Sequence, residues 1–191
     1  VAACAAHFGG IDICVNNAGV FAEADIVDTS VELMERMFRV NTLGVFFGMK
    51  HAVAHMPPGG AIVNTASIAA VVGAPGIVAY ATAKTAVLAL TRVAALEFGP
   101  KGIRVNCICP ASVDTPMLAA QDNAADEAAV SALTAPLGRI IEPEEVAALI
   151  HFLAADDCPI ISGQAVIIDG GAQAGFSEAL WNSAVTMQSG R

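Results

Sequence analysis

The stretch Ala61-Ile-Val-Asn-Thr-Ala-Ser67 and, thirteen residues beyond it, Tyr80-Ala-Thr-Ala-Lys84 decide the fold. Residues 61–65 form a short, continuous apolar run rather than an alternating one, the pattern of a strand covered on both faces. Tyr80 and Lys84 lie in a helical pattern over 77–98, where a spacing of four puts two side chains on one face. Gly99-Pro100 stops that helix. Ligands in open α/β sheets bind at the carboxyl ends of strands, so Ser67 falls on the rim where a ligand would lie, beside the helix that bears Tyr80.

Three further runs, 11–15, 104–108 and 165–168, have the same strand character. Helical patterns separate them. Residues 1–8 read as the end of a helix closed by Gly9-Gly10. Ser30 caps a helix running from 31 toward 56, and Pro143-Glu144-Glu145 opens another that reaches about 154. Strands alternating with helices predict an α/β fold, a Rossmann-like, doubly wound parallel sheet with right-handed crossovers. Residues 117–135, rich in Ala and Asp, are read as a mobile helical excursion between the third and fourth strands. There is no internal repeat.

A length of 191 residues predicts one domain. Hydrophobic residues make up 55% and charged residues 14%, which excludes a disordered chain. The net charge is −9 and no basic run occurs, so nucleic acid is excluded as a partner. The uncharged stretch between Lys50 and Lys84 is broken by Pro57, Pro58, Gly59, Gly60, Gly73, Pro75 and Gly76, so no membrane span is expected. No signal peptide is read at the N-terminus. Val1 in place of Met, within a helical pattern, reads as the start of a fragment or processed chain. The five cysteines are read as buried free thiols in a reducing compartment, the cytoplasm. Cys107 and Cys109 are expected on opposite faces of their strand, out of reach of a shared metal.

A free phenol has a pKa near 10 and is a poor base at neutral pH. An adjacent ammonium favours the phenolate, so Lys84 is expected to lower the pKa of Tyr80 and make it a proton donor and acceptor for an alcohol/ketone pair. Ser67 would hydrogen-bond the same substrate oxygen. Asn41, in an otherwise apolar helix, would hold a water connecting Lys84 to solvent. Each feature alone is common in structural roles; their order along one chain carries the weight. His51 and His55 lack the glutamate of a zinc-hydrolase helix and are read as surface residues. The glycines at 170–175 lack the spacing of a phosphate loop.

Ser67, Tyr80-Ala-Thr-Ala-Lys84 and Asn41 resemble the active-site tetrad of the short-chain dehydrogenase/reductase family. Asn16-Asn17-Ala18-Gly19 is similar to the family's NNAG turn, and Pro110-Ala111-Ser112-Val113-Asp114-Thr115 to its PG-x-x-x-T segment, with Ala111 at the glycine position. Residues 161–171 resemble its last strand and flanks, so the likeness runs from about 11 to 171. The resemblance implies hydride transfer between NAD or NADP and a carbonyl or secondary alcohol. It makes Tyr80 the general acid/base, with Lys84 lowering its pKa and binding the nicotinamide ribose. Ser67 orients the substrate oxygen and Asn41 holds the relay water. Asn17, Ala18, Gly19, Pro110, Val113 and Thr115 join Tyr80 and Lys84 in cofactor contact. The family's dimers and tetramers imply self-association through the helices of Asn41 and Tyr80.

The family opens with a strand, a TG-x-x-x-G-x-G turn and a helix, which this stretch does not contain. Residues 1–191 are therefore read as one domain, the C-terminal catalytic part of the fold with a tail at 171–191. The sheet is read as lacking its first three strands, with 11–15 an exposed apolar edge. Two readings remain at this point: an oxidoreductase, or a catalytically silent truncation that only associates with other subunits. Reduction of acyl-carrier-protein ketones is disfavoured by the acidic 117–135 segment. Residues 68–72 are either an apolar wall for a cyclic alcohol, ketone or steroid-like ring, or plain core. Trp181 covers the substrate site or reaches a neighbouring subunit.

Overall fold

Four parallel strands form the centre of the computed structural model, which describes residues 1–121 and 123–189. Asp122, inside the expected 117–135 excursion, and 190–191, at the end of the expected tail, lie outside the described residues. The strands are β1 (Ile13–Asn16), β2 (Ala61–Thr65), β3 (Arg104–Pro110) and β4 (Ala165–Ile168). They pair in chain order, each neighbour parallel. β1 starts two residues later than the apolar run suggests. β3 runs on through Pro110, because Ala111 resumes the ladder by donating its N–H to the Ile168 carbonyl at 2.9 Å. At the β1 edge Ile13 and Val15 are exposed.

Side chains alternate across the sheet with the period of two. Ile62, Val105, Cys107 and Cys109 point to one face, where they pack with Val45, Met49, Val87 and Leu88. Val63 and Ile108 point to the other, against Leu153. The helices behind these faces are α3 (Gly44–Ala52) and α4 (Val78–Phe98) on the first, and α7 (Pro143–Ala154) on the second, as in a doubly wound sheet. The expectation that Cys107 and Cys109 face apart is corrected here: two residues apart, they share a side and Ile108 takes the other. Nor are all five thiols buried, since Cys4 is exposed and Cys14 and Cys158 are half-buried.

The helix expected over 31–56 is interrupted. α2 (Val31–Phe38) starts on the Ser30 cap, whose hydroxyl accepts from the Leu33 N–H at 3.2 Å. Residues Arg39–Leu43 then make one π-helical turn before α3 begins. α1 (Ala2–Phe8) ends on Gly9 at φ 85°, a left-handed conformation that glycine adopts without steric cost. The expected excursion is two helices, α5 (Pro116–Ala119) and α6 (Ala124–Thr134). The tail carries α8 (Glu178–Ser189), which packs on α6 and leaves Trp181 largely exposed. No described helix is long and apolar enough to cross a membrane.

A buried polar chain crosses the sheet. Asn16 Nδ2 donates to Asn64 Oδ1 at 2.8 Å, and Asn64 Nδ2 donates to Thr91 Oγ1 on α4 at 3.0 Å. Gly48 makes room for it: a Cβ there would lie 1.9 Å from Asn16 Oδ1.

Candidate active site

Three strand ends and the first turns of α4 converge on one rim. Ser67 follows β2, is buried, and accepts from the Ala69 N–H at 3.1 Å, capping the turn over Ile68–Ala70. The cap fixes its hydroxyl beside Tyr80. Lys84, one turn beyond Tyr80, is only 4% exposed. Its Nζ donates to the Thr65 carbonyl at 2.8 Å, which ties α4 to the end of β2, and stands 5.8 Å from the Tyr80 ring centroid. Thr42 Oγ1 donates to the Ala83 carbonyl at 2.8 Å, pinning the π turn to the same part of α4.

Asn41 is fully buried within that π turn. Its Oδ1 accepts from the Val20 N–H and its Nδ2 donates to the Val20 carbonyl, both at 2.9 Å. The amide is thus a clamp on the 17–20 turn, a role the sequence reading did not give it. The same contact accounts for the break in the helix: an asparagine that must reach backbone 21 residues away is accommodated by a local π turn, a feature that recurs at functional sites.

The residues proposed for cofactor contact lie along the same rim. Asn17 and Ala18 are exposed beyond β1, and Asn17 Oδ1 accepts from Thr65 Oγ1 at 2.9 Å, joining the ends of β1 and β2. Pro110 ends β3. Val113 is bridged to Ile141, and Thr115 Oγ1 donates to the Val113 carbonyl at 3.3 Å. Ala111 stands where the family has glycine, and among the described residues no non-glycine residue has positive φ, so alanine is not strained there. Gly19 packs closely against the site: a Cβ would sit 3.0 Å from Asn41 Oδ1 and 3.4 Å from Lys84 Nζ. The rim therefore has a cradle, kept open by glycine, with the lysine facing it. This fits a nicotinamide ribose at Lys84.

Burial sets the electrostatics. It lowers the Lys84 pKa from 10.5 to about 8, with Cys109 beside it pulling the other way. Tyr80 is raised above 10 by burial, and Ser67 is the group that draws it back down. The expected lowering of Tyr80 by Lys84 is absent, because the phenol is held among apolar neighbours while the ammonium is engaged by the Thr65 carbonyl. Phe21 went unnoticed in the sequence. Its ring meets the Tyr80 ring edge-on, centroids 5.0 Å apart at 72°, and its only signal was adjacency to the Asn17–Val20 turn. Of the apolar run after Ser67, Val71 and Val72 are exposed, so they are not core.

Comparison with known proteins gives a consistent answer. The model of the family described as Enoyl-(Acyl carrier protein) reductase matches residues 1–173. The chain is 41% identical over 176 residues to the trans-4-hydroxycyclohexanecarboxylate dehydrogenase of Sinomonas cyclohexanicum, an alignment covering 92% of this chain and 65% of that protein. It is 40% identical over 166 residues to the cyclohexanol dehydrogenase of Acinetobacter sp. (strain SE19), covering 85% of this chain and 64% of that one. It thus spans slightly less than two thirds of both relatives. The crystal structure of a short-chain type dehydrogenase/reductase from Mycobacterium marinum superposes with a TM-score of 0.84 at 32% identity, over 91% of this chain and 69% of that one. Sequence, sheet order and rim agree, and this chain belongs to the short-chain dehydrogenase/reductase family.

Proposed function

We propose that this chain carries the catalytic centre of an oxidoreductase that interconverts a secondary alcohol and a ketone with NAD or NADP, the cofactors of this family. The observation that carries the reading is the meeting of Tyr80, Lys84 and Ser67 at the carboxyl rim, with Gly19 holding open the space against Lys84. When bound, the nicotinamide gives or takes the hydride. Asn17, Ala18, Gly19, Pro110, Val113 and Thr115 would hold it together with Tyr80 and Lys84.

The chain's own residues handle the proton. Tyr80, its pKa raised, is a neutral phenol at pH 7 and donates its proton to the carbonyl oxygen in reduction. The Ser67 hydroxyl hydrogen-bonds the same oxygen. With a pKa of about 8, Lys84 is mostly protonated at pH 7 and stabilises the phenolate once the proton has left. Tyr80 is reprotonated from a water held at Asn41, the proton passing through Lys84. Since Val20 takes up the amide, that water falls to the second lone pair of Asn41 Oδ1.

We assign an apolar cyclic alcohol or ketone as substrate. Exposed Val71 and Val72 after Ser67 support the apolar wall, and the ring alcohols named for the two relatives above, one of them bearing a carboxylate, support the cyclic class. Self-association as a homodimer or homotetramer is supported by exposed Leu43, Phe46 and Phe47 on the interrupted helix and by Val93 and Leu96 on α4. Free thiols support a reducing compartment, the cytoplasm.

The test is cofactor binding followed by turnover. Addition of NADH or NADPH should give a saturable fluorescence change, and cyclohexanol with the matching oxidised cofactor should give steady nicotinamide reduction. A folded chain that binds neither cofactor would refute the reading for residues 1–191 by themselves and leave the association-only one for this stretch.

A further inference from the structure

We propose that Phe21 is a positioning residue for Tyr80: its ring is the stop against which the phenol is set toward Ser67, and Asn41 holds that stop in place. The proposal rests on the oxidoreductase reading for its consequence in turnover, but its geometry is independent of it. Phe21 meets Tyr80 edge-to-face at 5.0 Å and 72°, a favoured aromatic arrangement that contributes beyond buried area. The residue before it, Val20, is bonded at both its N–H and its carbonyl by the Asn41 side chain. One buried amide in the π turn of the 31–52 helix thus fixes the backbone from which Phe21 projects. Thr42, its neighbour, anchors the same turn to the Ala83 carbonyl, between Tyr80 and Lys84. The stop and the helix that it meets are therefore tied to a single turn of backbone.

Position matters here because the phenol turns about only two side-chain torsions. Ser67 lies on one side, the Lys84 ammonium below at 5.8 Å from the ring centroid, and Phe21 at the edge. Leu33, Met34, Met37 and Phe38 of α2, with Val20 and Ala22 of the turn, complete the cluster around this part of α4, and all are apolar. The Lys84 ammonium is a charged group beside the phenol ring. With Phe21 removed, the ring would lose its edge contact, water would reach the phenol, and the ring would be free to swing from Ser67.

Tyr80 is the only tyrosine in the chain, so ultraviolet difference titration of phenolate reads it alone, without substrate or cofactor. The wild-type midpoint should lie above the ordinary value of about 10. Phe21→Ala should bring it down to about 10. Phe21→Leu, which restores apolar bulk, should return it to the wild-type midpoint, and Asn41→Ala should fall with Phe21→Ala. A merely structural role would lower the melting temperature and leave the midpoint in place. With cyclohexanol as probe, Phe21→Ala should lower kcat about tenfold or more while leaving the KM for cofactor unchanged, since misplacing a reacting group by an ångström has effects of that order. If Phe21→Ala loses its folded circular dichroism, Phe21→Val takes its place under the same criteria. Phe21→Ala titrating with the wild type overturns the proposal. Absence of turnover in the wild type counts against the oxidoreductase reading and leaves the titration result standing.

Discussion

Replacing Lys84 by Met should make the protein more stable and inactive. Lys84 is 4% exposed, and burial lowers its pKa from 10.5 to about 8. At about 1.4 kcal/mol per pH unit, holding that charge in the fold costs about 3 kcal/mol at pH 7. Methionine has nearly the same shape and no charge. It forfeits the hydrogen bond to the Thr65 carbonyl, worth about 1 kcal/mol, so the net gain is about 2 kcal/mol, or roughly 4–8 °C in Tm for a chain of this size. The sign of the pH dependence follows. Between pH 8 and 10.5 the unfolded lysine binds a proton that the folded one has lost, so wild-type stability rises with pH across that window. Lys84→Met should lack this rise, and its advantage should shrink from pH 8 toward pH 10. Work above pH 10 is avoided because Tyr80, raised in the fold, then destabilises it in the opposite direction. The assay is urea unfolding followed by circular dichroism at pH 7, 8, 9 and 10. A variant no more stable than wild type at pH 7, or a constant difference across the series, would refute the burial argument.

Gly48→Ala should be severe for a helical glycine. Its Cβ would fall 1.9 Å from Asn16 Oδ1 and drive that side chain off Asn64, which is fully buried. An unsatisfied buried amide plus the steric clash outweigh the gain in helix propensity, for a loss of about 3 kcal/mol readable as a Tm lowered by roughly 6–12 °C. Gly19→Ala should show the reverse balance. Its Cβ meets Asn41 Oδ1 at 3.0 Å and Lys84 Nζ at 3.4 Å, so stability should change by about 1 kcal/mol or less while cofactor affinity falls about tenfold, measured by NADH fluorescence titration.

That Ser67, Tyr80 and Lys84 would lie together was legible from a strand end followed by a helix with two side chains four apart. β2 and β4 were legible residue for residue, β4 being wholly apolar and β2 opening on an apolar Ala-Ile-Val run after the Pro57–Gly60 break. β3 was read two residues short because Pro110 looks like a terminator, whereas a proline at the last ladder position needs only a neighbour to resume the bonding. The π turn was not legible. It depends on a contact between Asn41 and Val20, 21 residues apart, that no local pattern encodes. The direction of the Tyr80 pKa was misjudged for the same reason, since burial depends on which side chains arrive from elsewhere, Phe21 among them. Cys107 and Cys109 were legible and misread, as residues two apart on a strand share a face.

The most direct test of the central claim is the steady-state oxidation of cyclohexanol by Tyr80→Phe, compared with wild type, with NADH affinity measured on both. The account predicts that turnover is lost by several orders of magnitude while NADH affinity stays within about twofold, because the phenylalanine keeps the ring against Phe21 and removes only the hydroxyl, leaving Lys84 and the other cofactor-holding residues in place. Turnover by Tyr80→Phe at the wild-type rate would contradict it.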